Sequence, residues 1–264
     1  MSNFQYHRPT SLAEAFRIRT EQPDARFVAG GTDVLPHVHD RTYRPAALIS
    51  LRRVRELDGV DVGADGVTRI GGLTRVADLT SHAALEARLP TLVQAARRLG
   101  SVQIRNVATV GGNLCNASPC ADLAPPLLAY DARVRIEGPG GAREVPLEDF
   151  FLGNRKTRLE PTEVLVAIVI DAPPAGTASR FDKIVRVRMD IALTSAAVLL
   201  RVESGRVVHA RVAMGSVAPR PVRLGAVETF LVGRAPGEDT AREAGVLATR
   251  SVTPIDDVRA TAAY

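Results

Sequence analysis

An α+β fold is predicted for this 264-residue chain, and three observations predict it. Near the N-terminus, a strand, turn, helix, strand order indicates a small parallel unit. Through the middle, short apolar stretches flank glycine turns in the manner of antiparallel hairpins. Beyond the linker candidate Asp171-Ala172-Pro173-Pro174-Ala175-Gly176, three strand-like stretches are followed by two helical ones, the order of an antiparallel sheet backed by helices. With 45% hydrophobic residues, the chain can bury one large core or two ordinary ones, and two domains are expected. The boundaries read from the texture are 1–172, with subdomains of about 1–56 and 57–172, and 177–264.

The first helix opens at Ser11, whose hydroxyl can cap it while Glu14 reaches back to complete a capping box. Leu12, Ala15, Phe16 and Arg19 continue at helical spacing, and Pro23 and Asp24 end it. Arg26-Phe27-Val28-Ala29 reads as a short buried strand running into Gly30-Gly31, and Ala47-Leu48-Ile49-Ser50 reads as the next strand. Val60–Val62 and Val67–Ile70 flank Gly63-Ala64-Asp65-Gly66 as a hairpin. A helix is expected from about Thr74, and another from Pro90 to Arg98, with Leu92, Ala95, Ala96 and Leu99 on one face. Asp122–Tyr130 has helical spacing, Ala132–Glu137 and Arg143–Pro146 flank a further glycine turn, and Glu163–Ile170 is a continuous apolar strand. Beyond the linker, strands are expected at Phe181–Val187, Ala196–Val202 and Val207–Met214, and helices at Val222–Val232 and Glu238–Thr249.

Composition excludes several functions. No run approaches the ~20 apolar residues that a membrane-spanning helix needs, and the polar start lacks the apolar stretch of a signal peptide, so a soluble cytoplasmic protein is expected. The net charge of +5 is spread along the chain among acidic residues, and aromatics make up 4% with no Trp, which disfavours a nucleic-acid surface. Cys115 and Cys120 lack the partners that a zinc site or iron–sulfur cluster requires, and they read as small packing residues. His37 and His39 follow the first glycine pair and are expected to be exposed. Catalytic triad spacings are missing, so the expected catalytic set is empty. Lys156 and Lys183 are the only lysines.

Consecutive N–H groups in a glycine turn can converge on a diphosphate because no Cβ blocks the approach of an oxygen. Gly30-Gly31 with Thr32, and Gly111-Gly112 with Thr109 and Asn113, each offer such a cluster. Of the four Gly-Gly pairs, Gly140-Gly141 is assigned to a hairpin and Gly71-Gly72 to a strand-end turn. Neither remaining loop has the G-x-G-x-x-G spacing of a Rossmann unit or the G-x-x-x-x-G-K-[ST] of a P-loop, which disfavours both a Rossmann flavin site and nucleotide hydrolysis.

Read in full, Thr109-Val110-Gly111-Gly112-Asn113-Leu114-Cys115-Asn116-Ala117-Ser118-Pro119-Cys120-Ala121-Asp122 resembles the signature of the FAD-binding medium subunit of molybdenum hydroxylases, the xanthine dehydrogenase and carbon monoxide dehydrogenase flavoprotein family. The similarity takes in Phe27–Pro36, Leu99–Asn106, Phe181-Asp182-Lys183, Asp190-Ile191-Ala192, Gly215–Pro221 and Pro254–Arg259, in order across nearly the whole chain. It implies a two-subdomain PCMH-type FAD-binding domain followed by a smaller C-terminal antiparallel sheet with helices.

The resemblance further implies that Phe27, Val28, Ala29, Gly30, Gly31, Thr32, Asp33 and Val34, with Thr109, Val110, Gly111, Gly112 and Asn113, wrap the pyrophosphate and part of the isoalloxazine of a non-covalent FAD. Leu99 would pack near the cofactor, Asp122 would accept hydrogen bonds from it, and Leu165 would add a contact. Lys183 would reach the flavin from the second domain, with a solvated strand lysine as the competing reading. A side chain at Gly111 is expected to fill the space of a phosphate oxygen.

The implied role is electron relay: a small subunit carries 2Fe–2S clusters, a large subunit carries molybdopterin, and this chain passes electrons through FAD to a terminal acceptor. A dimer of heterotrimers is implied. The rival readings are a self-sufficient PCMH-type flavin oxidoreductase acting on a small substrate, for which the short stretch beyond the linker leaves limited room, and a basic polyanion-binding module. The family continues through a final helix where this sequence stops at Tyr264, so a truncated C-terminus is a further expectation.

Overall fold

In a computed structural model that describes residues 4–257 and 259–264, a three-stranded, a five-stranded and a four-stranded sheet follow one another along the chain, with a further two-stranded sheet formed within residues 151–157. Met1–Asn3 and Val258, one position of the closing motif, lie outside the described residues. The first unit comprises β1 (Gln5–His7), α1 (Leu12–Glu21), β2 (Ala25–Val28), α2 (Val34–His39) and β3 (Ala47–Ser50). Its strands are parallel in the order β1-β3-β2, with Val28 opposite Ser50, and β1 is a strand not anticipated from sequence. Ser11 caps α1 by accepting from the Glu14 N–H at 3.2 Å, while the Glu14 carboxylate reaches one residue further back than a capping box requires and takes the Thr10 N–H at 2.8 Å.

The second unit runs through β4 (Val60–Val62), β5 (Thr68–Gly71), α3 (Val76–Leu79), α4 (Ala83–Arg88), α5 (Pro90–Arg98), α6 (Val102–Arg105), α7 (Val110–Cys115) and α8 (Ala124–Ala129). It continues through β6 (Arg133–Gly138), β7 (Gly141–Pro146), α9 (Leu147–Phe150), β8 (Phe151–Gly153), β9 (Lys156–Thr157) and β10 (Val164–Ile170). Its five-stranded antiparallel sheet has the order β4-β5-β10-β6-β7, with β10 at the centre, as its unbroken apolar sequence requires. The helix expected from Thr74 starts later, at Val76, because the Thr74 hydroxyl is held by the Gly59 carbonyl at 2.8 Å.

Beyond the linker stand β11 (Thr177–Ile184), β12 (Thr194–Glu203), β13 (Arg206–Gly215), β14 (Val222–Arg223), α10 (Gly225–Leu231) and α11 (Glu238–Arg250), with the four strands antiparallel in sequence order. Two boundaries differ from expectation. β11 starts four residues before Phe181 and ends at Ile184, because its partner β12 begins at Thr194 and the Arg186–Asp190 ion pair folds the intervening segment into a loop. Val222–Arg223 is a strand rather than a helix start, paired with Ala213 and Met214.

The main apolar core does not stop at the linker. It extends from Ile70, Leu92, Leu114, Leu127 and Ile168 to Phe181, Ala197, Leu199 and Ala213 of the last sheet. α5 and α8 lie against that sheet, where the Gln94 side chain accepts from the Phe181 N–H at 2.8 Å and Arg211 donates to Asp131 at 2.8 Å. A wide apolar groove lined by β12, β13 and α11 is bordered by Pro254, Ile255 and Tyr264.

Candidate functional site

Parallel pairing of β2 with β3 delivers the first glycine loop, residues 29–34, to the C-terminal end of the first sheet, beside the segment that leads into α7. The contact is intimate: a β-carbon at Gly30 would lie 2.3 Å from the Val107 carbonyl oxygen. Gly31 adopts φ +77°, a left-handed conformation that costs glycine little, and its carbonyl accepts from the Leu35 N–H to start α2. Among the described residues, the N–H groups of Gly30, Gly31, Thr32, Asp33 and Val34 have no protein acceptor. Five successive amides are thus free to donate to a ligand.

The second loop differs from its sequence reading. Gly111 and Gly112 form the first turn of α7, with Thr109 as N-cap. Their donors are already engaged. Val110 donates to the Thr74 carbonyl at 2.9 Å, Gly111 to the Gly72 carbonyl at 2.9 Å, Gly112 to the Thr109 hydroxyl at 3.1 Å and Asn113 to the Thr109 carbonyl at 3.0 Å. A β-carbon at Gly111 would meet the Gly72 oxygen at 2.6 Å, so the expected clash with a phosphate oxygen is replaced by a clash with backbone. Gly72, read from sequence as a strand-end turn, is therefore the platform on which α7 sits. A β-carbon there would in turn meet the Leu165 carbonyl at 2.3 Å, which places Leu165 beneath that platform, buried.

What α7 offers a ligand is different in kind. Gly112 is exposed, facing the Thr109 hydroxyl and Ala29 of the first loop. Asn113 Oδ1 is buried without a hydrogen-bond partner, a costly state that a donor from a ligand would relieve. Five free amides beside an orphaned amide oxygen fit a cofactor with a polyanionic linker and donor hydroxyls.

Asp122, Lys183 and Leu99 form a second cluster. Lys183 Nζ donates to both Asp122 oxygens at 3.0 and 2.9 Å and to the Arg98 carbonyl at 3.1 Å, and its side chain is 0% exposed, so it is no solvated strand lysine. Arg98 answers by donating to the Lys183 carbonyl at 2.6 Å. Burial pushes the Asp122 carboxyl above its usual value, and the adjacent ammonium pulls it down. Leu99 is buried at the end of α5, its carbonyl held by Arg105. Phe27 is half-buried and packs edge-on against Phe16, so its ring belongs to the first core. Val28 is buried. Burial pushes the Cys115 thiol up to about 12, which keeps it protonated and makes it a packing group.

Two arginines escaped the sequence reading. Arg52 donates to the Ala29 and Gly30 carbonyls of the first loop. Arg155, on the turn between β8 and β9, donates to Asp33 at 3.2 Å and to the Asn116 side chain at 3.1 Å, joining the far ends of the two loops. Asp33 occupies the N-cap position of α2 yet makes no cap bond, consistent with its carboxylate facing Arg155. Arg155→Ala is expected to change stability by less than about 0.5 kcal/mol, because the pair is about half exposed. It is expected to weaken ligand binding about three- to tenfold by loosening the first loop. Unfolding midpoints and cofactor titration on the same sample check both.

Residues 2–173 match the family described as the FAD binding domain in molybdopterin dehydrogenase, and residues 179–264 match the CO dehydrogenase flavoprotein C-terminal domain. The chain is 38% identical over 221 residues to a xanthine dehydrogenase FAD-binding subunit of Escherichia coli O157:H7, covering 83% of this chain and 75% of the relative. It is 35% identical over 262 residues to the carbon monoxide dehydrogenase medium chain of Hydrogenophaga pseudoflava, covering 99% and 91%. A solved carbon monoxide dehydrogenase from that organism superposes with a TM-score of 0.95 at 36% identity, over 99% of this chain and 91% of that one. Quinoline 2-oxidoreductase from Pseudomonas putida 86 gives 0.94 at 32%, over 99% and 90%. With a PCMH-type FAD-binding fold, a C-terminal antiparallel sheet and relatives that are FAD-dependent dehydrogenase subunits, the chain belongs to the FAD-binding medium subunits of the molybdenum hydroxylases.

Proposed function

We propose that this chain holds FAD non-covalently between its two glycine loops and relays electrons from 2Fe–2S clusters on a small partner subunit to a terminal acceptor, with molybdopterin on a large partner subunit. The observation that carries the cofactor placement is the run of free amides from Gly30 to Val34 beside the orphaned Asn113 Oδ1. The amides would take the pyrophosphate, Thr32 and Asn113 would add side-chain bonds, and the open face of Gly112 would admit the phosphate without a Cβ in the way. Leu99, Leu165 and the Asp122–Lys183 pair would border the flavin. Bound FAD supplies the exchange between one-electron and two-electron partners.

A cofactor domain over 1–172 and a second domain over 177–264 is supported by the family matches to 2–173 and 179–264. The relatives named as medium chains support a heterotrimer, which we propose pairs into a dimer of heterotrimers in the cytoplasm. No helix among the described residues is long and apolar enough to cross a membrane. Reconstitution tests the assignment. The purified chain incubated with FAD and desalted is expected to keep about one flavin per chain by its visible spectrum, as a specific site of this size demands. A colourless protein after reconstitution with excess FAD rejects it, and copurification with iron–sulfur and molybdopterin subunits tests the partners.

A further inference from the structure

We infer that Arg52 is a positioning residue for the cofactor: its guanidinium holds the peptide planes of the first glycine loop so that the Gly30 and Gly31 N–H groups face the pyrophosphate. The inference rests on the cofactor placement above and adds to it the device that orients the donors.

The register of the first sheet brings Arg52 to the loop. Val28 lies opposite Ser50, and the chain leaves β3 through a short turn at Leu51–Arg53, so the side chain two residues beyond Ser50 reaches the carbonyls just beyond Val28. Arg52 Nε donates to the Ala29 carbonyl at 3.2 Å, and its terminal nitrogen donates to the Gly30 carbonyl at 2.9 Å. The Ala29 carbonyl shares a planar trans peptide with the Gly30 N–H, and the Gly30 carbonyl shares one with the Gly31 N–H. In each unit the two groups point in opposite directions. Fixing both carbonyls on the guanidinium therefore turns both amides to the other side, where they have no protein acceptor.

Glycine makes this hold necessary. Gly30 and Gly31 have the widest backbone freedom of any residue pair, and two peptide planes that rotate freely would present their donors to a ligand only part of the time. The planar fork of arginine spans two carbonyls at once, whereas the single ammonium of lysine cannot reproduce both directions. Arg52 is exposed and anchors no core, so its loss leaves the fold in place.

The test uses the full chain freed of flavin. Arg52→Ala and Arg52→Lys are titrated with FAD, and the bound pyrophosphate is observed by phosphorus NMR. Arg52→Ala is expected to weaken FAD about ten- to a hundredfold, with shifted phosphorus resonances, an unchanged flavin absorption band and an unchanged unfolding midpoint. Lysine is expected to recover little of the loss, and millimolar guanidinium much of it. Affinity within about twofold of the unsubstituted chain, with unshifted resonances, overturns the inference while leaving the cofactor placement intact. Failure of the unsubstituted chain to take up FAD overturns both.

Discussion

Lys183→Met is expected to destabilise the flavin-free protein by about 3–5 kcal/mol, because it leaves the Asp122 carboxylate buried without its counter-charge. The Lys183 side chain is 0% and that of Asp122 9% exposed, so water cannot substitute for the lost ammonium. The pair also sits where the two parts of the chain meet. Asp122 precedes α8, Lys183 lies on β11, and Arg98 at the end of α5 exchanges backbone and side-chain bonds with Lys183 in both directions. A break there removes an attachment between the cofactor domain and the last sheet as well as an ion pair.

A double-mutant cycle separates the pair energy from the packing of the methylene stem. Asp122→Asn with Lys183→Met removes both charges, and its loss is expected to fall short of the summed single losses by about 2 kcal/mol or more, as coupled neighbours do. Urea unfolding of the four proteins measures it. A Lys183→Met protein within about 0.5 kcal/mol of the parent, the range of an ordinary surface substitution, rejects the account.

The strands of this molecule were legible from sequence wherever pattern alone decides. β3 and α5 fall where apolar spacing placed them, and the glycine turns of the β4–β5 and β6–β7 hairpins were read directly. α7 was hidden because two consecutive glycines are poor helix formers, and what overrides that preference is long-range: Gly72 and Thr74, some forty residues earlier, receive its first amides. β1 was hidden because three residues carry too little pattern, and its strand identity depends on pairing with β3. The candidate site shows the same division. The glycines and Asn113 stood out by type and spacing, but Arg52, Arg155 and the Asp122–Lys183 pairing arise from contacts across 22, 122 and 61 positions, which no local window contains.

Substitution of the two α7 glycines by alanine is expected to separate their roles. At Gly111 a β-carbon would lie 2.6 Å from the Gly72 oxygen and 3.0 Å from the Gly72 Cα, both backbone atoms at the end of β5 that cannot rotate away. α7 must shift off its platform, at a cost of about 1–3 kcal/mol typical of overpacking, and the flavin-free protein is expected to lose that stability. FAD affinity is expected to fall tenfold or more with it, about 1.4 kcal/mol, because Thr109 and Asn113 move together with the helix. At Gly112 the nearest atom is the Thr109 hydroxyl at 2.8 Å, the end of a rotatable side chain, and the position is exposed. Alanine's better helix propensity, about 1 kcal/mol over glycine, offsets the disturbed cap, so the flavin-free protein is expected to stay near parental stability. The new methyl nevertheless stands between Thr109 and Ala29, in the space assigned to the pyrophosphate, and FAD affinity is expected to drop about a hundredfold. Thermal unfolding without flavin and FAD titration of both variants decide the matter. Wild-type affinity in Gly112→Ala would mean that the cofactor does not pass between the loops, whereas undiminished stability in Gly111→Ala would mean that Gly72 is not the platform of α7.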